Sequence, residues 1–399
     1  MTLSNGAVQL KILIFTNSLA GGGTERVAAT LANFWARKRW EVTVVTLDPE
    51  SEDFYPLEPG VRRISLNLSG DSRNVWDGLR QNARRVAALR RVMLQIRPDV
   101  ALSMMSTPNV LLAFASRNIS NVCTLGSEHC YPPHSPLGLI WSTLCSRMYG
   151  RLSAVVALTK ECAQWIETHT SAARVAVIPN PAVWPLPDNP PRIKPDSLCP
   201  AERKVLLAVG RLNVVKNYEV LIRAFSELAG KYRDWDLVIL GEGPERSLLE
   251  SRIRDRKLET RIFMPGIAGN VGAWFARADL YVMTSRSEGF PNALAEALAH
   301  GLPAVSFDCN TGPRDIIRHG VDGLLVPPDD AAALVDALDR VMGNADLRKQ
   351  LAARAHEARD RFSVEKIAGM WEGLFRELSD THSISKVART APTAERCGP

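Results

Sequence analysis

Short apolar runs alternate with longer amphipathic stretches along most of this 399-residue chain. Residues 11–16 (KILIFT), 42–47 (VTVVTL), 63–66, 100–104, 122–125, 155–158 and 175–178 are aliphatic and β-branched, and they read as strands. Helical spacing fills several of the gaps, over 76–96, over 108–116 and through Val27, Leu31 and Phe34. The alternation restarts at 205–209 (VLLAV) and continues through 237–240, 261–265, 278–283 and 305–307, with a helix patterned on Val220, Leu221, Ala224, Phe225 and Leu228. Amphipathic helices follow at 331–342, 347–361 and 364–378. Strands that alternate with helices predict an α/β fold of doubly wound parallel sheets.

Between the two series lie eight prolines, from Pro179 to Pro200. That density excludes regular structure and marks a linker. The expected organisation is a first domain over 1–180, a linker over 181–202, a second domain over 203–362 and a further helix over 363–380. Residues 381–399 lack periodicity and are expected to be a disordered tail.

Composition adds little to this picture and charge adds more. With 46% hydrophobic and 23% charged residues the chain has a globular composition. Its seven cysteines form no Cys-x-x-Cys pair, which reads as reduced thiols in the cytosol. The first ten residues show no signal peptide, and no run approaches a membrane span, so a soluble chain is expected. Residues 1–180 carry 19 Lys and Arg against 13 Asp and Glu, which is the whole of the net +6. One basic half suggests that the first domain faces an anionic surface. Membrane phosphates are the expected partner; no motif or aromatic platform points to nucleic acid. The arginines of 76–96 (Arg80, Arg84, Arg85, Arg90, Arg91) form a solvated basic face or a lipid-contact face. The apolar segment 137–149 is core, or else a patch that docks on a membrane or lipid acceptor.

Candidate chemistry concentrates at strand ends. The stretch 284–308 (TSRSEGFPNALAEALAHGLPAVSFD) starts as a strand finishes, and Pro291 stands where a helix start favours proline. The helix over 291–300 is apolar almost all round, so Glu296 is a lone carboxylate in a buried helix and needs a partner. Glu288 precedes a helix start, where free N–H groups and the dipole favour an anion. Either these carboxylates serve a ligand with phosphates and hydroxyls, or Glu288 caps the helix and Glu296 pairs with a core arginine. Gly21, Gly22 and Gly23 form a loop that lets a phosphate approach, with Thr24 as the expected N-cap. The loop fits neither the P-loop nor the G-x-G-x-x-G pattern. Beyond the strand at 205–209, Gly210 permits a turn, and Arg211 and Lys216 suit a diphosphate, one as a fork and one as a point charge. His129, with Glu128 beside it and His134 nearby, follows the strand at 122–125. Asp234-Trp235-Asp236 spells a metal-binding Asp-x-Asp, but it precedes a strand instead of following one.

Glu288 and Glu296 flank seven residues, GFPNALA, and the stretch closely resembles the donor-site signature of retaining glycosyltransferases of family 4. GGGTER resembles the family's diphosphate loop, and GRL with Lys216 resembles its pyrophosphate-binding pair. The Gly312-Pro313-Arg314 version resembles a bacterial polysaccharide and lipid-oligosaccharide subgroup, with Asp315 where many members have Glu. The resemblance covers about residues 11–378 and implies the GT-B architecture, two facing Rossmann-like doubly wound domains. It implies transfer of a hexose or N-acetylhexosamine from a UDP-sugar, with retained configuration and no metal or other cofactor. The implied acceptor is a lipid-linked glycan of the undecaprenyl-diphosphate type, met at the inner face of the cytoplasmic membrane by a peripheral, cytoplasmic protein.

Carried onto this chain, the catalytic set is Arg211, Lys216, Glu288 and His129. Gly22, Gly23, Gly210, Gly289, Phe290, Pro291, Asn292 and Leu294 hold the donor, the backbone of Gly266 and Ile267 meets the base, and Glu296 takes the ribose hydroxyls. A nucleotide-sugar epimerase or hydrolase without a glycan acceptor is the alternative on the same fold. A binding protein with a dead site would not need every charged donor position, and a dehydrogenase would need the missing glycine fingerprint.

Overall fold

The computed structural model describes residues 9–70, 74–135 and 137–390, with side chains described to residue 379. The first domain runs β1 (Lys11–Thr16), α1 (Gly23–Arg37), β2 (Glu41–Thr46), β3 (Val61–Ser65), α2 (Val75–Ile96), β4 (Val100–Met104) and α3 (Ser106–Ala115). It continues with β5 (Cys123–Glu128), α4 (Leu139–Met148), β6 (Ala154–Ala157), α5 (Lys160–His169) and β7 (Val175–Val177). The second domain runs β8 (Lys204–Val209), α6 (Tyr218–Leu228), β9 (Trp235–Leu240), α7 (Arg246–Asp255), β10 (Ile262–Gly266) and α8 (Val271–Arg277). Then come β11 (Leu280–Met283), α9 (Asn292–Ala299), β12 (Ala304–Phe307), α10 (Pro313–Ile316) and β13 (Gly323–Val326). Helices α11 (Ala331–Gly343), α12 (Ala345–Ala355), α13 (Ala358–Arg361) and α14 (Val364–Thr390) complete the described chain.

Each domain is one parallel sheet. The first has the order β3-β2-β1-β4-β5-β6-β7 and the second β10-β9-β8-β11-β12-β13. Helices cover both faces, which is why the central strands are apolar at successive positions: Ile12, Leu13, Ile14 and Phe15 of β1 are all fully buried. The register places Ile12 between Val42 of β2 and Val100 of β4. Strand order reverses between β1 and β4 and again between β8 and β11. At such a switch point the flanking loops diverge to opposite faces and leave a crevice at the strands' carboxyl ends.

Local differences from the sequence reading have physical reasons. Strand β5 continues past Leu125 to Glu128, because Gly126 lets the strand pass where a Cβ would meet Asn109 and Leu152 within 3 Å. The proline-rich stretch contains no strand or α-helix, but Ala182 and Cys199 within it are buried in the second domain's core. Helix α14 reaches Thr390, so the expectation of a disordered tail from 381 is corrected over 381–390; residues 391–399 lie outside the described residues. Its Ile367, Trp371, Phe375 and Leu378 pack into the first domain's core, with the Phe375 ring 5.6 Å from Trp35. The chain therefore returns from the second domain to the first. No helix among the described residues is long and apolar enough to cross a membrane.

Candidate active site

The loops that leave the two switch points line a single cavity of about 420 Å³. On the first-domain side, β1 leads through the glycine loop into α1. The N-cap is Gly22, not Thr24, whose hydroxyl instead lies 3.5 Å from Met105 Sδ. A glycine cap offers no side chain to the first helical amides; the Glu25 carboxylate turns back over Gly22 and takes its own amide, which leaves those of Gly23 and Thr24 for an anion.

On the second-domain side, Gly210 and Arg211 follow β8 directly, and Arg211 is exposed. Lys216 Nζ donates to Glu288 Oε1 at 2.6 Å, so Glu288 does not cap the helix but holds the lysine. Helix α9 begins at Asn292, with Pro291 as its cap and not its first residue. The Leu294 and Ala295 amides both turn back onto the Pro291 carbonyl, which leaves those of Asn292 and Ala293 at the cavity. Leu294 is fully buried in the core and, unlike Ala293 and Glu296, does not line the cavity.

The two sides touch at several places. A Cβ on Gly289 would fall 2.0 Å from the His129 carbonyl, so only glycine allows this approach of the backbones. Asn292 Nδ2 donates to the Gly23 carbonyl at 3.0 Å, and its Oδ1 accepts from Asn180 at 2.9 Å. Arg26 of α1 donates to both oxygens of Glu296 at 2.6 Å, with Glu296 1% exposed and Arg26 26%. Burial raises the Glu296 carboxyl above its ordinary range and Arg26 opposes that rise. Arg26 also lies under the Tyr55 ring and 3.4 Å from its hydroxyl. Glu296 is thus both a cavity wall and half of an ion pair. Gly22, Gly23, Gly210, Arg211, Lys216, Glu288, Gly289, Phe290, Pro291 and His129 share that cavity.

A second cavity of about 480 Å³ shares Arg26, Tyr55, Gly210 and Arg211 with the first and is lined further out by Gly241, Glu242 and Ile267. Gly266, with φ +100°, makes the turn at the end of β10 that brings the half-exposed Ile267 there.

Of the three candidates at the end of β5, only His129 lines the cavity. Both Glu128 oxygens are taken, by Ser106 at 2.7 Å and Tyr149 at 2.5 Å, and His134 pairs with Asn310 across the cleft at 3.0 Å. Burial pushes the His129 imidazole down to about 3. Its Nε2 meets Ser127 Oγ at 3.1 Å and its Nδ1 has no partner. A neutral ring of this kind can hydrogen-bond a sugar hydroxyl but carries no charge near pH 7.

The sequence reading missed Arg26, Tyr55 and Asn180. The requirement for a cation beside Glu296 was visible; its position 270 residues upstream was not. Asp236 is 2% exposed and held by Arg203 and Arg261, and Asp234 pairs with Lys204 at 2.7 Å, so the Asp-x-Asp is spent on structural pairs. Among the described residues no three His, Cys, Asp or Glu side chains converge as metal ligands, and six cysteines are free thiols.

Two family models match this chain, Glycosyltransferase Family 4 over residues 21–182 and Glycosyl transferases group 1 over 190–358. The chain belongs to the family 4 glycosyltransferases, and its paired sheets are the GT-B architecture. An exopolysaccharide phosphotransferase of Streptomyces coelicolor is 34% identical over 73% of this chain, which spans only 30% of that relative. A Campylobacter jejuni α-1,4-N-acetyl-D-galactosaminyltransferase, named for an undecaprenol-diphosphate-linked glycan, is 27% identical over 93% of this chain and 99% of its own. The crystal structure of Anabaena HepE in complex with UDP-glucose superposes with a TM-score of 0.73 at 21% identity, covering 94% of this chain and 100% of that one. That likeness is one of fold.

Two pH-dependent outcomes follow. In Arg26→Met the Glu296 charge is left buried and unpaired, which costs about 3–5 kcal/mol. Its folded-state carboxyl then titrates still further above the unfolded value, so folded protein holds the proton that unfolded protein releases. The loss of stability is therefore greater at pH 8 than at pH 5, and Glu296→Gln added to Arg26→Met restores most of it; chemical denaturation at the two pH values reads both. For His129 the sign is opposite. Unfolded histidine takes a proton below 6.5 and the folded ring refuses it down to about 3, so stability falls as pH drops through that window. His129→Gln should flatten this acid limb in a series of melting temperatures from pH 7 to pH 4.

Proposed function

We propose that this glycosyltransferase moves a hexose or N-acetylhexosamine from a UDP-sugar to a lipid-linked glycan, with retained configuration and without a metal ion. The acceptor would be presented at the inner face of the cytoplasmic membrane in the assembly of a cell-surface glycan. The observation that carries the reading is the cavity at the paired switch points. There the Gly22-capped start of α1, the start of α9, Arg211 and Lys216 converge on one space. A diphosphate placed there meets helix amides and two cations, and its growing negative charge on departure is what such a site stabilises. The contiguous cavity toward Ile267 has room for the base, and Glu296 stands between as an acceptor for ribose hydroxyls.

The carboxylates on the cavity wall also bear on the route. Glu288 is bound to Lys216 and Glu296 to Arg26, so neither is a free nucleophile for a double displacement. That favours attack from the face the diphosphate leaves, with the leaving phosphate taking the acceptor's proton. The neutral His129 would orient the sugar. The names of the Campylobacter relative and of HepE's ligand are consistent with the donor and acceptor proposed.

The test is a panel of UDP- and GDP-sugars with membrane extract as acceptor, read by mass spectrometry of the lipid-linked product. Product should form from a UDP-sugar and persist in EDTA. Activity abolished by EDTA and restored by Mn²⁺ would sink the metal-independent step. Arg211→Ala removes one charge-assisted contact worth about 1.5–3 kcal/mol, so kcat should fall roughly 10- to 150-fold with an unchanged melting temperature. A kcat near wild type at saturating donor would place the diphosphate elsewhere.

A further inference from the structure

Away from the active site, the first domain leaves an apolar groove of about 900 Å³ open between α2, α3 and α4. Val110, Leu111 and Phe114 of α3 form its floor, and Val75, Leu79, Leu139 and Ile140 form its lips. Those lips are exposed by 65%, 58%, 89% and 60%, and Trp76 beside them by 81%. Five large apolar side chains exposed together at two neighbouring helix starts form a patch that water penalises.

Charge defines what covers it. With about 100° per residue, Val75, Leu79, Asn82 and Val86 fall on one face of α2, toward the groove. Trp76, Arg80, Arg84 and Arg91 fall on the adjoining face, where the three arginines are exposed. Helix α2 carries five arginines against one aspartate, and α4 carries Arg147 and no acid. The other two arginines of α2 have structural work: Arg85 donates to the Leu68 and Gly70 carbonyls and Arg90 to those of Ala115 and Arg117. An apolar lip with a tryptophan at the head of a cationic stripe matches the boundary of an anionic bilayer, apolar groups in the acyl region and arginines among the phosphates.

We propose that the α2–α4 groove is the membrane-docking surface of this protein, with Trp76, Leu139 and Ile140 entering an anionic bilayer and Arg80 and Arg84 meeting its phosphates. The inference rests on the reading above that the acceptor is membrane-borne, and it moves the contact from the whole arginine helix to one end of it. The groove also adjoins the active site through the chain. His129 directly follows β5 in the connection that leads to α4, and Ser106, which starts α3, donates to Glu128.

The test uses the full chain and vesicles of phosphatidylcholine with or without about 30 mol% phosphatidylglycerol, read by flotation. Wild-type protein should bind the anionic vesicles. Leu139→Gln with Ile140→Gln should weaken binding at least about tenfold at low and high salt alike. Arg80→Gln with Arg84→Gln should weaken it about 30-fold at low salt and lessen its salt dependence. Leu248→Gln, 41% exposed on the second domain, should change nothing. Brominated lipid should quench part of the tryptophan emission, and Trp76→Phe should lose that part. All these positions are exposed, so melting temperatures should stay at the wild-type value. Binding unchanged in both double variants, or quenching unchanged in Trp76→Phe, overturns the proposal. So does a dimer that Leu139→Gln turns into a monomer while vesicle binding persists, since the groove would then be covered by a second copy. UDP affinity measured on the same preparations separates the two readings: vesicle binding lost with UDP binding kept in the wild type sinks only the surface, and the reverse sinks only the donor assignment.

Discussion

A carboxylate that is 1% exposed inside an apolar helix must have a cation against it, and the cation beside Glu296 comes from the other domain. The Arg26–Glu296 pair ties α1 to α9, the two helices whose starts face the cavity. A buried pair of this kind contributes little net stability, because the desolvation of both ions offsets their attraction. What it contributes is position, since separating the partners leaves an uncompensated charge. The cleft is thereby held in an arrangement in which Asn292 reaches Gly23 and Gly289 reaches His129. Each of those contacts needs the two sheets at one separation, and the ion pair sets it.

Around that pair the cavity's charges sort themselves into spent and unspent. Glu296 answers Arg26 and Glu288 answers Lys216, whereas Arg211 makes no ion pair among the described residues. The helix starts at Gly22 and Pro291 add partial positive charge, the first with the Glu25 carboxylate over it and the second with no acid in its first turn. A neutral His129 adds none. The balance at the cavity is therefore a positive reserve aimed at one space, fixed by backbone and by a short arginine loop. Such a reserve needs no reorganisation when an anion forms there, which is how preorganised sites lower barriers.

The chain's basic excess lies wholly in residues 1–180, and the fold shows where part of it goes. Arg85 and Arg90 anchor loops through carbonyls, while Arg80, Arg84 and Arg91 stay exposed beside an apolar groove. Residues 181–399 are neutral by count, and the second domain spends its charges in ion pairs such as Arg203–Asp236 and Arg318–Asp322. The two halves share a topology and differ in the surface each offers.

Much of this was legible from local order along the chain. The strand runs, the glycine loops after them, the Arg211 and Lys216 pair and the lone Glu296 all depend on neighbours within a few residues, and sequence displays such neighbours directly. The alternation that predicts parallel sheets is of the same kind. Three features were decided only by tertiary structure. Arg26 is unremarkable in GGGTER and becomes the partner of Glu296 because folding joins positions 270 residues apart. Leu139 and Ile140 read either as core or as a docking patch and stand exposed, because burial depends on what packs opposite and none of the described residues covers that face of α4. Helix α14 outlasts the periodicity that announced it, since a helix already docked through Trp371 and Phe375 propagates at the cost of one residue at a time and needs no new nucleus. Local spacing determined the elements; long-range contact decided which side chains meet.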